Sequence, residues 1–363
     1  MVVALVVIAI VFSILTKGVF IVPRNLSMLA RQTTVTGILA IGMMFVIVAG
    51  HIDLSVGQVC GACGTLAAVL QVWNGWDTPL VIPIVIIAGA VIGAWNGFWV
   101  AYRGVPAFII TLGGLLIFQG MKLGVGKSAS IAPMKDSFVF IGQAYLPIYA
   151  GWIIAIIAVA AVIFLFYNNR KSKRKYNFAI QPMRNDVLKA GVVSFLIIAA
   201  IVILNQYKGL PVPVLLLILL AVVFSYVAKN TVYGRSVYSI GGNMEAARLS
   251  GINTKYMTMI IFVISGALAA LAGIVLTARL NAATAAAGDS MELDAIASCV
   301  IGGTSMAGGV GNIPGVIIGA LIMASLDNGM SLINLENFWQ YIVKGLVLVL
   351  AVWIDTETKA KSR

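Results

Sequence analysis

Long apolar runs, parted by short polar punctuation, repeat from one end of this chain to the other. Several reach the roughly 18 to 20 residues that a helix needs to cross the hydrocarbon core, and none has the dyad alternation of a barrel strand. The pattern predicts an all-α, polytopic transmembrane bundle, one domain over 1–363. Spans are expected at about 1–15, 33–50, 54–73, 79–102, 106–123, 148–167, 190–204, 214–227, 256–280, 313–326 and 339–354, with a short piece at 295–301. The first span is shortened at its start and does not read as a cleaved signal. That short piece cannot cross alone. It reads as a half-helix broken from Gly302 to Gly309, whose exposed backbone must be buried in protein or line a cavity, because lipid cannot satisfy it. Counted as a crossing, it gives about 12 spans with both termini cytoplasmic. The stretches 18–32 and 281–294 are expected to be external, 124–146 a longer loop of mixed character, and Gly209, Pro211 and Pro213 mark an external turn.

One long polar passage interrupts the second half, from Asn230 to Lys255. Arg235, Arg248 and Lys255 place it on the cytoplasmic face, since Lys and Arg near spans resist translocation. Asn243 is expected to cap a short helix from Met244 to Ser250, and Gly251 to close it in the left-handed conformation. So short a helix is marginal in water. Two readings fit: a handle on which another protein packs, or a loop helix resting on its own bundle.

Composition agrees with the pattern, since 61% of residues are hydrophobic and only 10% charged, against about 25% charged in soluble domains. The formal charge is +12, from 24 basic and 12 acidic residues. Most basic residues fall between spans, above all in a cytoplasmic loop at 168–189 with Arg170, Lys171, Lys173, Arg174 and Lys175, so topology explains the charge and a nucleic-acid partner does not follow. Cys60, Cys63 and Cys299 lie in apolar sequence and read as packing, with no metal site implied. Gly126-Lys127-Ser128 is not a phosphate loop, because Met121 stands where that motif needs glycine and no strand precedes it.

Glycines spaced by four, at Gly57 and Gly61, at Gly89, Gly93 and Gly97, and at Gly311, Gly315 and Gly319, lay smooth stripes on which helices can pack closely. Gly50 to Gly57 and Gly302 to Gly309 share one glycine separation, a weak internal repeat. Transporters place such broken helices at the substrate path; the alternative is a pair of tight packing corners. Polar residues accompany both breaks, so candidate path residues are His51, Asp53, Ser55, Thr304 and Ser305. Asn96, set between Trp95 and Trp99, and Asp327 with Asn328 at the end of their span, add groups able to bind sugar hydroxyls or simply to serve packing.

Three motifs carry a resemblance: Gly50-His51-Ile52-Asp53-Leu54-Ser55-Val56-Gly57, then Gly241-Gly242-Asn243-Met244-Glu245-Ala246-Ala247-Arg248-Leu249-Ser250-Gly251, then Glu292-Leu293-Asp294-Ala295-Ile296-Ala297 leading into Ile301-Gly302-Gly303-Thr304-Ser305. In this order they resemble permease subunits of bacterial ATP-binding-cassette (ABC) importers for monosaccharides, within the xylose and multiple-monosaccharide branches of the ribose-type permeases, a type II importer-like design. The resemblance implies a permease pair in the bacterial inner membrane, with a second copy of this chain as partner and lipid around both. It further implies two ABC ATPase subunits below, which hold the ATP and Mg while this chain binds no cofactor, and a periplasmic sugar-binding protein above. It makes Gly242, Asn243, Glu245, Ala246, Ala247, Arg248, Leu249, Ser250 and Gly251 a coupling helix for the ATPase within 230–255. The ribose type often has glycine where this chain has His51. Two rivals stand beside this reading. One is an ion-gradient-driven secondary sugar transporter working through Asp53 and His51. The other is an intramembrane enzyme, for which no metal set, nucleophile elbow or carboxylate pair is present in the sequence.

Overall fold

The computed structural model describes residues 1–176 and 182–360, and among these it has fifteen α-helices. In chain order they are α1 (Val2–Leu15), α2 (Pro23–Val48), α3 (Val56–Ala68), α4 (Thr78–Ala101), α5 (Ala107–Val125), α6 (Asp136–Gln143), α7 (Ile148–Lys175) and α8 (Met183–Asn205). Then follow α9 (Val212–Asn230), α10 (Val232–Gly242), α11 (Met244–Leu249), α12 (Thr254–Leu280), α13 (Met291–Ile301), α14 (Ile313–Leu332) and α15 (Asn337–Ala360). Ten helical stretches are long and apolar enough to cross a membrane, so the chain is a polytopic helical bundle. The other two crossings counted from sequence fall on α1, with 14 residues, and α13, with 11, both short for a bilayer.

The bundle is built around α2 and α12. In the most apolar window of α2, 83% of residues are buried, and in α12 67%. Close packing there depends on the glycine stripes. On α4, a Cβ at Gly89 or Gly93 would strike the carbonyls of Gly266 and Phe262 in α12. On α3, Gly64 meets Thr277, and Gly273 of α12 meets the Cys60 carbonyl in return. On α14, Gly315 and Gly319 seat the Gly302 and Ser298 carbonyls at the end of α13. Such contacts gain dispersion and let Cα–H groups face carbonyls where lipid offers no hydrophobic drive for helix pairing. By contrast α7 and α8 pack chiefly on each other, and only 11% of each window is buried.

Several boundaries differ from the sequence reading, each for a visible reason. The expected loop at 18–32 is largely the start of α2, with Pro23 in its first turn. Its polar residues are satisfied by distant partners: Asn25 exchanges hydrogen bonds with Asn328 at 2.8 and 3.1 Å, and Arg31 donates to the Gly142 carbonyl at 3.1 Å and Tyr145 Oη at 3.3 Å. Within 124–146 stands α6, packed on α12 through Gly142. The basic loop at 168–189 is mostly helix, because α7 runs on to Lys175 and α8 begins at Met183; its centre, 177–181, and the chain's last residues, 361–363, lie outside the described residues. Residues 291–294 belong to α13 and not to an external run, and Asp327 and Asn328 lie inside α14, which continues to Leu332.

The two interrupted stretches meet. The Gly309 N–H donates to the carbonyl of Val48, the last residue of α2, at 2.8 Å. Against that junction lies the end of α10, where a Cβ on Gly241 would land on the Val48 carbonyl and crowd the Gly309 nitrogen. One turn earlier Tyr238 Oη donates to the Gly311 carbonyl at 2.7 Å.

Candidate functional site

Between α2 and α3 the chain folds around Asp53. Its Oδ1 accepts from the Ser55 N–H at 2.9 Å and the Ser55 hydroxyl at 2.6 Å, closing the turn that starts α3. Asn96 of α4 then donates from Nδ2 to Ser55 Oγ at 2.9 Å. The structure thus brings Asp53, Ser55 and Asn96 into one chain of hydrogen bonds, all three buried. Asn96 stands five residues before the end of α4, about 8 Å along the helix, so the cluster lies inside the bundle. His51 stacks at a tilt on Phe262, with centroids 6.0 Å apart, and its Nε2 and Asn96 Oδ1 have no protein partner among the described residues. A cavity of about 450 Å³ opens beside this break, lined by Gly50, His51, Pro106, Phe108 and, from α11, Met244.

The second break is more closed. Ser305 accepts from Ala307 N–H at 3.2 Å and its own N–H donates to Val310 O at 2.9 Å, forming a self-contained turn, while buried Thr304 packs on Gly311. Gly308 and Gly309 take φ values of 85° and 73°, open to glycine at little steric cost.

Asp327 and Asn328 are not gathered with the breaks. They lie 14 and 15 residues beyond the start of α14, more than about 20 Å along the helix. There Lys344 of α15 pairs with Asp294 at 2.9 Å and Asp327 at 3.0 Å. Nearby, Lys122 of α5 is buried and donates to Asp289 at 2.8 Å and the Ala287 carbonyl at 2.9 Å, and Gln58 Nε2 donates to Asp289 at 3.0 Å. Sequence reasoning named Glu292 and Asp294 only as part of a family motif, and passed over Lys122, Asp289 and Lys344. The signal was present for the two lysines, because a lysine within an apolar span demands a partner.

The passage from Asn230 to Lys255 forms two helices, of which the sequence anticipated the second. Asn243 Oδ1 accepts from the Ala246 N–H at 3.0 Å, and Gly251 has φ 86°, so α11 is capped at both ends as its residues imply. Ala247 turns inward and is buried. Outward stand Met244, Glu245, Arg248 and Leu249, the last 79% exposed, and the Ser250 hydroxyl donates back to Ala246 O at 2.9 Å. Glu245 and Arg248 pair at 2.7 Å with both side chains about two-thirds open to solvent (65% and 66%). Such a pair adds little to stability. It presents instead a compact, two-signed surface with Leu249 and Met244 beside it. Outside the spans, burial raises the Tyr238 hydroxyl above its usual range, so it stays a donor to Gly311. At the opposite mouth, a hydrogen bond from Lys135 lowers the exposed Asp77 carboxyl.

Comparison with known proteins adds the following. The family described as branched-chain amino acid transport system / permease component matches residues 25–352. The chain is 48% identical to the xylose transport system permease protein XylH of Haemophilus influenzae, over 99% of this chain and 96% of that one. It is 46% identical to XylH of Escherichia coli, over 100% of this chain and 92% of the relative. To the ribose import permease protein RbsC of Bacillus subtilis it is 33% identical, over 98% and 91%. No solved structure matches.

Proposed function

Because the chain belongs to the branched-chain amino acid transport system / permease component family, we propose that it is the membrane conduit through which an ABC importer brings xylose, or a closely related monosaccharide, into a bacterial cell. It is a transport subunit and not an enzyme. The observation that carries the reading is its full-length likeness to two xylose permeases at nearly half identity, against one third for a ribose permease. In this account ATP and Mg sit on partner ATPases and a periplasmic sugar-binding protein delivers the sugar. The chain lies in the inner membrane with both termini cytoplasmic, surrounded by lipid. A second copy is its partner, as the resemblance to paired permeases implies.

The partner ATPases press on α11 through Glu245, Arg248 and Leu249. Movement there passes to α10, whose Gly241 and Tyr238 rest on Val48, Gly309 and Gly311. A shift of α10 therefore acts on both breaks together, opening or closing the path beside His51, Asp53, Ser55, Asn96, Thr304 and Ser305. Asp53 is occupied in tying Ser55 to the start of α3, which favours a shaping role over a proton-carrying one.

The test replaces Glu245 and Arg248 together by alanine in the importer reconstituted with its ATPase and sugar-binding protein. Expected is loss of ATP-driven xylose uptake while ATP hydrolysis persists and the thermal midpoint is unchanged. Uptake at the unaltered rate would remove the coupling role from α11.

A further inference from the structure

At the far end of the bundle from α11 lies a polar cavity of about 250 Å³, lined by Gln32, Arg279, Asp294, Asp327, Gln340 and Lys344. Arg279 is one residue from the end of α12, a helix that starts beside α11, so about 38 Å of helix separates the two places. Gln32 and Arg279 also line an adjoining cavity of about 370 Å³ that opens past Gln143, so the polar lining continues outward.

Charged groups this deep in an apolar bundle are costly unless they are paired or used. Lys344 is paired, by one oxygen from each of two carboxylates. The other oxygens are not: Asp294 Oδ1 and Asp327 Oδ1 are buried without a partner, and the Asp294 side chain is only 7% exposed. Facing the same space, Arg279 has no carboxylate within ion-pair distance among the described residues. The cavity wall thus carries spare acceptors, buried just behind its surface, and a spare donor, and its own four formal charges sum to zero, with Arg31 on the adjoining space. A cation or an anion would upset that balance. A small neutral polyol would not, since each hydroxyl both donates and accepts. No aromatic ring lines the space to stack on a sugar face, which fits a station that a solute leaves as readily as it enters.

We propose that this cavity is the entry station of the conduit, where a monosaccharide hydroxyl array donates to Asp294 and Asp327 and accepts from Arg279, before it passes toward the two helix breaks. The proposal rests on the sugar-importer reading and adds the residues that receive the solute.

The test uses the complete importer in proteoliposomes, carrying Ser331→Cys at the exposed rim of the cavity and probed with a membrane-impermeant methanethiosulfonate. D-xylose is expected to slow labelling several-fold, and a polyethylene glycol too large to enter the cavity, at equal osmolarity, to leave it unchanged. Asp327→Asn, which keeps Lys344 paired with Asp294, and Arg279→Gln are each expected to abolish that protection. Each should also lower uptake at limiting xylose about tenfold or more, the loss of one hydrogen bond to a charged group, with ATPase activity retained. Arg279→Lys should restore part of both. Labelling indifferent to D-xylose in an importer that takes xylose up would overturn the cavity assignment. Failure of the otherwise unaltered importer to take up xylose would overturn instead the substrate reading beneath it.

Discussion

At Gly241 the space for one methyl group is already taken by the carbonyl of Val48, whereas at the neighbouring Gly242 nothing lies within 4 Å of an added Cβ. Gly241→Ala is therefore expected to cost about 1–3 kcal/mol through backbone displacement, read as a lowered thermal midpoint in detergent and reduced uptake. Gly242→Ala should stay within about 1 kcal/mol of the unaltered protein. Equal effects of the two changes would mean that α10 does not rest on the breaks. Sequence alone assigned Gly242 to the coupling helix and left Gly241 as motif context, because a glycine's neighbour from another part of the chain leaves no local mark. The same limit hid the partners of Lys122 and Lys344, which come from Asp289, 167 residues later, and from Asp294, 50 residues earlier. What is local was legible: the Asn243 cap and the Gly251 stop are read from adjacent residues and form as their chemistry dictates.

Among the helices, mean hydropathy located the spans but could not rank them by depth. α7 and α12 share a window hydropathy of 2.7, yet 11% of one window and 67% of the other is buried, because a lipid-facing leucine and a core leucine look alike in sequence. Glycine spacing discriminates better, since the stripes on α3, α4 and α14 mark where a second backbone approaches. Helix ends were misjudged where polar residues begin, at α2 and α14 because tertiary hydrogen bonds let polar side chains continue a helix, and at α7, which runs on with its basic end largely exposed. α10 was missed for a related reason: it is an amphipathic helix outside the apolar runs, held by Val237 and Ile240 in the core. Among the described residues its side-chain hydrogen bond to the second break runs from Tyr238 to Gly311. Tyr238→Phe removes that tie at a cost of about 1 kcal/mol and is expected to lower the sugar moved per ATP hydrolysed while leaving hydrolysis itself intact. An unchanged ratio would show that α10 transmits through its backbone contacts alone.

For the molecule as a whole, α11, α10 and the two interrupted stretches form one connected series of contacts, and the polar cavity lies at the far end of the bundle. Within the bundle Lys122 pairs with Asp289, and Lys344 with Asp294 and Asp327. The family resemblance named at the level of sequence is upheld by the match over 25–352 together with the full-length likeness to the xylose permeases, and the proposed division of labour between conduit and motor rests on it. The most direct measurement of that division is sugar accumulation in liposomes holding this chain alone, under an imposed proton or sodium gradient and without nucleotide, compared with liposomes that also hold the partner ATPases, the sugar-binding protein and ATP. Xylose should concentrate only in the second set. Accumulation against a gradient by the chain alone would contradict the account.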